Sequence, residues 1–183
     1  MLIVITGNPG VGKHTVTKKI AQVKKFQILD INKIALDAQV YEKNGNTFDV
    51  DVTKLKKILK NKLTEKSLVV GHLAPYVLTK SQVTKAIILR KSPYKLLSVY
   101  KKRKYPSKKI KENLESEILG IVAHDAIKKF GRTKIHQIDT TTDSISKTVK
   151  KILNVLDGKI EDDKIDWLTL ISKKNDLRKF FSY

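Results

Sequence analysis

At 183 residues the chain is long enough for one domain with a sizeable core, and a hydrophobic fraction of 40% excludes both a disordered and a membrane-embedded protein. No run approaches the ~20 apolar residues that span a bilayer, residues 1–5 lack a secretory leader, and cysteine is absent, which excludes disulfides, thiolate metal sites and cysteine nucleophiles; a cytoplasmic location is the expectation. The net charge of +20, with a pI near 10.0, fits a polyanionic partner, although a lysine-rich composition with only Arg90, Arg103, Arg132 and Arg178 as arginines gives the same bias without one.

Short apolar runs alternate with segments of helical period, the pattern of an α/β protein with a parallel sheet. Leu2–Thr6 reads as a buried first strand, and Lys13–Lys24 as a helix with Val16, Ile20 and Val23 on one face. Residues 27–31 read as the second strand, followed by a helix capped by Asn32 and carrying Ile34, Ala35, Ala38 and Tyr41. Asn44, Gly45 and Asn46 break that helix, residues 47–52 form a loop or short extended piece, and Thr53 caps a helix with Leu55, Ile58 and Leu59 inward.

The third strand, Ser67–Val70, ends at Gly71-His72. Residues 86–89 form the fourth, and Ser92-Pro93 opens a helix to about Lys102 with proline at its first position. A basic stretch at 103–111 leads into one long helix over 112–130, with Leu114, Ile118, Ile121 and Val122 as its apolar stripe. Residues 134–138 are the fifth strand, and Asp143 or Ser144 caps a last helix carrying Ile145, Val149, Ile152, Leu153 and Leu156. A tail from Asp157 contains Ile165, Trp167, Leu168, Ile171, Phe180 and Phe181, which either pack on the domain or dock a protein partner. The expected fold is a doubly wound, five-stranded parallel sheet with ligands at the carboxyl ends of its strands.

Between the first strand and first helix lies Gly7-Asn8-Pro9-Gly10-Val11-Gly12-Lys13, a Gly-x-x-x-x-Gly-Lys loop in the context that such a motif requires. Its glycines permit backbone conformations closed to other residues, so that successive N–H groups converge on phosphate oxygens, and the helix start adds partial positive charge. Lys13 reaches the β- and γ-phosphates, and Asn8-Pro9 stiffens the loop. These residues make a P-loop for a nucleoside triphosphate. The Ser or Thr that usually follows the lysine and ligates Mg²⁺ is replaced by His14, which leaves Thr15 as the candidate hydroxyl for phosphate or metal.

Arg90 ends a strand at the ligand edge and Arg103 begins the basic stretch; either a clamp on transferring phosphate or a surface ion pair accounts for them. His72 follows a strand end and faces the same cleft. Asn113, Glu117 and His124 share one face of the expected long helix, either to organise closure or as its polar side. Lysines flanking Tyr105-Pro106 suit a phosphate-grasping lid and equally an RNA backbone.

The run Gly-x-Pro-Gly-x-Gly-Lys-x-Thr resembles adenylate kinases and related nucleoside monophosphate kinases. To about Leu156 the chain resembles the small adenylate kinase family linked to small-ribosomal-subunit maturation, which comprises the coilin-interacting nuclear ATPase and its archaeal relatives. The landmarks are Ile31-Asn32-Lys33-Ile34-Ala35, Phe48-Asp49-Val50-Asp51, Val69-Val70-Gly71-His72-Leu73, Ile87-Ile88-Leu89-Arg90 and Gln137-Ile138-Asp139-Thr140-Thr141. The resemblance implies a kinase domain over 1–156, with a monophosphate-binding insert at about 32–66, a short lid at about 103–112 and a separate tail over 157–183. It implies ATP and Mg²⁺, AMP and ADP as substrates, some ATPase activity, and a small-subunit ribosomal protein and rRNA as partners of a monomer or weak dimer. Asn32, Asp49, His72, Arg90 and Glu117 then belong to the acceptor side, and Thr140 lies where the family contacts adenine. Many relatives carry an acid at the end of strand three; here Val70-Gly71-His72 has none, and Asp30 is the nearest substitute. A rival reading is an assembly factor switched by ATP, with little kinase turnover.

Overall fold

Every residue of Leu2–Thr6 (β1) is buried, the signature of a strand covered on both faces, and β1 lies at the centre of the sheet. The computed structural model describes residues 1–44, 47–159 and 162–181. Beside β1 the chain forms β2 (Gln27–Asp30), β5 (Ser67–Val70), β6 (Lys85–Arg90) and β7 (Ile135–Asp139), in the order β2-β5-β1-β6-β7. All four pairings are parallel, with Ile5 opposite Val70, Asp30 opposite Val70, Thr6 opposite Ile88 and Arg90 opposite Asp139. The carboxyl ends of all five strands therefore emerge along one edge, with β1 at the point where the chain switches sides.

The remaining elements are α1 (Lys13–Lys24), α2 (Ile31–Asp37), the hairpin strands β3 (Tyr41–Asn44) and β4 (Thr47–Val50), α3 (Val52–Lys62), α4 (Ala74–Val77), α5 (Pro93–Lys102), α6 (Ser107–Ile118), α7 (Ile121–Phe130), α8 (Ile145–Leu156), α9 (Trp167–Lys173) and α10 (Leu177–Phe180). One sheet face buries Val4, Val69, Ala86 and Ile88 under residues from α2, α3, α4 and α7, among them Ile34, Leu55, Leu59 and Phe130. The other buries Ile3, Ile5, Leu68, Ile87 and Leu89 under Ile20 of α1, Leu96 and Tyr100 of α5, Leu114 of α6 and Ile152 of α8. Each such aliphatic side chain contributes roughly 1.5–3 kcal/mol on burial. The tail belongs to this second layer: Trp167, Ile171 and Phe180 are buried in it, while Leu168 stays exposed.

Several boundaries depart from the sequence reading. Asp30, not Asn32, caps α2, its carboxylate accepting from the N–H groups of Asn32 and Lys33 at 3.0 and 3.2 Å. Tyr41 lies outside that helix, in β3, because the chain turns at Gln39 with φ +52°; Tyr41 pairs with Val50 and Glu42 with Asp49 in an antiparallel hairpin. The expected break at Gly45 and Asn46 lies outside the described residues. Asp51 rather than Thr53 caps α3, accepting from the Lys54 N–H at 2.9 Å.

The single long helix at 112–130 is two helices. Gly120, at φ +67°, ends α6 and starts α7, so Asn113 and Glu117 do not share a face with His124. Helix α6 starts at Ser107, which turns the basic stretch into a tight corner through Lys104 (φ +54°) and the first turn of α6. Among the described residues no helix is long and apolar enough to cross a membrane.

Candidate nucleotide site

The loop between β1 and α1 has Gly7, Gly10 and Gly12 at φ +138°, +86° and +99°. A side chain is excluded at Gly7 for a further reason: a Cβ there would stand 2.3 Å from the Leu89 carbonyl oxygen. At Gly12 a Cβ would meet open space, so only its backbone angle demands glycine. Gly7→Ala is accordingly expected to cost about 3 kcal/mol and to abolish nucleotide binding, whereas Gly12→Ala costs ~1 kcal/mol of fold stability. Thermal melts and ATP titrations of the two variants test this contrast.

Neighbouring elements hold the loop from outside. The Tyr100 hydroxyl of α5 donates to the Pro9 carbonyl at 2.7 Å, and the Thr140 hydroxyl, just past β7, donates to the Val11 carbonyl at 3.0 Å. The Asn8 side chain is buried; its amide donates to Glu117 at 2.7 Å and its oxygen accepts from Ser116 at 3.1 Å. Thr140 is thus a loop fastener, its hydroxyl also bonded to the Arg90 carbonyl at 3.0 Å.

Lys13 is 7% exposed, and its ammonium donates to the carbonyls of Gly7 and Asn8 at 2.7 and 2.8 Å. These are neutral acceptors, so the charge is solvated by the loop without being neutralised. Burial, opposed by the charge of Glu117 and reinforced by that of Arg103, brings the Lys13 pKa down to about 8. A bound polyphosphate would raise it again. ATP affinity is therefore expected to fall as pH rises above about 8, with proton uptake on binding in that range, measurable by calorimetry in buffers of different ionisation enthalpy.

Around the lysine, Arg103 is exposed at the end of α5 and carries no ion-pair or hydrogen-bond partner for its guanidinium among the described residues. The adjacent corner is stiffened by Tyr105 stacked on Tyr100, centroids 5.5 Å apart, with the Lys109 ammonium 5.0 Å from the Tyr105 ring. His72 follows Gly71, where a Cβ would stand 2.9 Å from that of Ile31. Desolvation, and then the Lys13 charge, hold the His72 imidazole below its ordinary pKa. His14 and Thr15 are exposed in the first turn of α1, and His14 Nδ1 lies 3.2 Å from Asp30. Asn32 and Asp49 are exposed, on α2 and on β4.

Of the two readings of Arg90, a phosphate clamp or a surface ion pair, the surface pair does not hold, because the arginine and its partner are buried. Arg90 is 5% exposed; its Nε donates to Glu117 at 2.7 Å, one terminal nitrogen to Gln137 at 2.8 Å and the other to the Glu117 carbonyl at 2.6 Å. Glu117 is completely buried and also accepts from the Lys91 N–H at 3.2 Å and from the Trp167 indole at 2.9 Å. A phosphate could reach this guanidinium only by displacing those acceptors. Sequence reasoning missed Ser116, Gln137 and Trp167 as members of this junction. One signal was available: Glu117 stands between Leu114 and Ile118 on an apolar stripe, where a carboxylate needs buried partners.

The family model described as "AAA domain" matches residues 3–120. A Saccharolobus solfataricus protein named "Putative adenylate kinase" is 30% identical over 171 residues, covering 92% of this chain and 88% of its own. One of the same name from Methanococcus maripaludis is 34% identical over 178 residues, covering 92% and 96%. The chain belongs to this P-loop family. In fold it is similar to a shikimate kinase from Aquifex aeolicus (TM-score 0.58, 19% identity, 86% of this chain and 97% of that one). It is also similar to the YorR protein of Bacillus subtilis, solved in complex with phosphorylated GDP (TM-score 0.59, 19% identity, 86% and 96%). At these identities the likeness concerns the fold, an α/β P-loop kinase architecture.

Proposed function

We propose that the protein is an adenylate kinase, transferring the γ-phosphoryl group of ATP to AMP and giving two ADP. The observation that carries this reading is Lys13: a buried, unneutralised ammonium held against two loop carbonyls, inside a ring of left-handed glycines. The names of the relatives point to the same acceptor.

In the transfer, an AMP phosphate oxygen forms a bond to the γ-phosphorus while the bond between the γ-phosphorus and the β–γ bridging oxygen breaks, that oxygen leaving on the β-phosphate of the first ADP. The loop amides of Asn8 and of 10–13, Pro9 having no N–H, and the Lys13 ammonium gather the donor phosphates, and Arg103 swings over the charge that spreads during transfer. Arg90 serves the site by fixing α6 to β6 through Glu117. His72, neutral at pH 7, faces the acceptor side together with Asn32 and Asp49, and Thr140 holds the loop beside the adenine end. The oxygen donors Thr15 and Asp30 are suited to Mg²⁺, although Asp30 is already paired with His14, and among the described residues no group of three or more acidic or histidine side chains is placed to hold a metal by itself. When bound, Mg²⁺ would supply charge neutralisation on the phosphates.

ATPase activity follows where water replaces the acceptor. A role in small-subunit maturation, with ribosomal protein and rRNA as partners, is supported by the sequence resemblance and by the net charge of +20. That charge also favours the second reading, an ATP-switched RNA-binding factor. AMP titrated at fixed ATP and Mg²⁺ separates the two: adenylate kinase requires ADP output to rise with AMP and saturate. Output that stays at the level of ATP alone would leave the switch.

A further inference from the structure

The carboxyl-terminal segment lies beyond residues 3–120, yet it sends one polar group into the heart of the molecule. The Trp167 indole N–H, on the first residue of α9, donates to Glu117 Oε1 at 2.9 Å in a fully buried bond. The other oxygen of the same carboxylate accepts the Asn8 amide at 2.7 Å. The Asn8 carbonyl in turn accepts the Lys13 ammonium at 2.8 Å. A continuous path of three short bonds thus runs from the tail to the lysine of the phosphate loop.

Each link is held by physical need. A buried indole N–H requires an acceptor, and a carboxylate with no exposure requires donors on both oxygens. Trp167 packs among Leu114, Ile118, Ile171 and Phe180, which fixes its ring and hence the direction of its N–H. Glu117 receives four donors besides its own backbone contacts, from Asn8, Arg90, Lys91 and Trp167, so the loss of one redistributes the rest. The tail has a second anchor that does not involve Glu117. The Tyr94 hydroxyl donates to Asp176 at 2.6 Å, and its ring meets Phe180 edge-on at 5.1 Å.

We infer that the carboxyl-terminal segment is a working part of the nucleotide site, Trp167 being a positioning residue that acts through Glu117 to set Asn8 and the phosphate loop. The inference rests on the loop being the ATP site. Trp167 is the only tryptophan in the chain, so it can be replaced biosynthetically by β-(3-benzothienyl)alanine, which keeps the ring shape and removes only the donor. The full-length protein bearing that residue, and the variant Trp167→Phe, are titrated with ATP by calorimetry beside Tyr94→Phe and Asn8→Ala.

Loss of the donor is expected to weaken ATP binding about five-fold, and Tyr94→Phe, which loosens the same segment elsewhere, to change it less than about two-fold. In the Trp167→Phe background, Asn8→Ala is expected to cost clearly less than it does alone, the mark of coupled residues. Unchanged affinity in both donor-free proteins, an equal loss in Tyr94→Phe, or additive losses with Asn8→Ala would overturn the inference. A wild-type protein that binds no ATP would instead overturn the reading of the loop itself. Should Trp167→Phe fail to fold, the benzothienyl protein decides.

Discussion

Replacing Lys13 by alanine is expected to lower kcat/KM for ATP about a thousand-fold while leaving the melting temperature within a few degrees of wild type. The first half follows from geometry. Lys13 is the cation at the centre of the loop, and neither His14 nor Lys91, which is committed to the Thr140 carbonyl at 2.6 Å, can take its place. The second half follows from the cost of burying the ammonium. A pKa brought down from 10.5 to about 8 corresponds to a penalty on the order of 3 kcal/mol carried by the charged form in the folded state. Because the folded pKa is depressed, the unfolded chain binds more protons between about pH 8 and 10.5, and stability rises with pH across that window. Alanine removes the penalty together with the two bonds to loop carbonyls, and these effects nearly offset each other. Melts at pH 7 and pH 9.5 test the sign: the wild type gains on the variant at the higher pH.

Glu117→Ala is expected to destabilise the fold by about 3–5 kcal/mol, lowering the melting temperature by roughly 10 °C. The magnitude comes from what is left behind. The Arg90 guanidinium would lose its carboxylate partner while remaining 5% exposed, and the Asn8 amide and Trp167 N–H would lose their acceptors. Helix α6, strand β6, the phosphate loop and the tail all meet at this carboxylate, so its removal also weakens ATP binding. Glu117→Gln retains an acceptor and is expected to fall between the two. A change of less than about 2 °C in the alanine variant would show that water or a shifted helix replaces the carboxylate.

The phosphate loop was legible because its signals are contiguous: an apolar strand, three glycines, a lysine and a helix lie within residues 2–24. The five sheet strands were readable for a related reason: β1, β5 and β6 are short buried apolar runs, and the edge strands β2 and β7 are short segments built on two aliphatic residues each. Residues 47–52 were read as a loop or short extended piece, which β4 fits, but β3 escaped because Tyr41–Asn44 is short and mostly polar and reads as a frayed helix end. The break at Gly120 escaped because Ile118, Ile121 and Val122 carry the apolar stripe straight across it, and only the backbone angle separates the two helices.

The buried junction was hidden for a stronger reason. Arg90 and Glu117 stand 27 residues apart, and Glu117 and Trp167 stand 50 apart, so no local pattern can pair them. An arginine at the end of an apolar strand and a glutamate inside an apolar stripe did each signal a buried charge in need of a partner. Read together, they would have pointed to an internal strut between β6 and α6 in place of a surface ion pair. Arg103, exposed, without a guanidinium partner among the described residues and close enough to lower the Lys13 pKa, is the arginine left for the proposed clamp.

The most direct test follows the phosphorus atom. ATP labelled at its γ-phosphate is incubated with AMP, Mg²⁺ and the full-length protein, and the products are separated. An adenylate kinase places the label in the β-position of ADP, with little in inorganic phosphate, and Lys13→Ala abolishes that transfer. Label found solely in inorganic phosphate, at a rate indifferent to AMP, would contradict phosphoryl transfer between nucleotides.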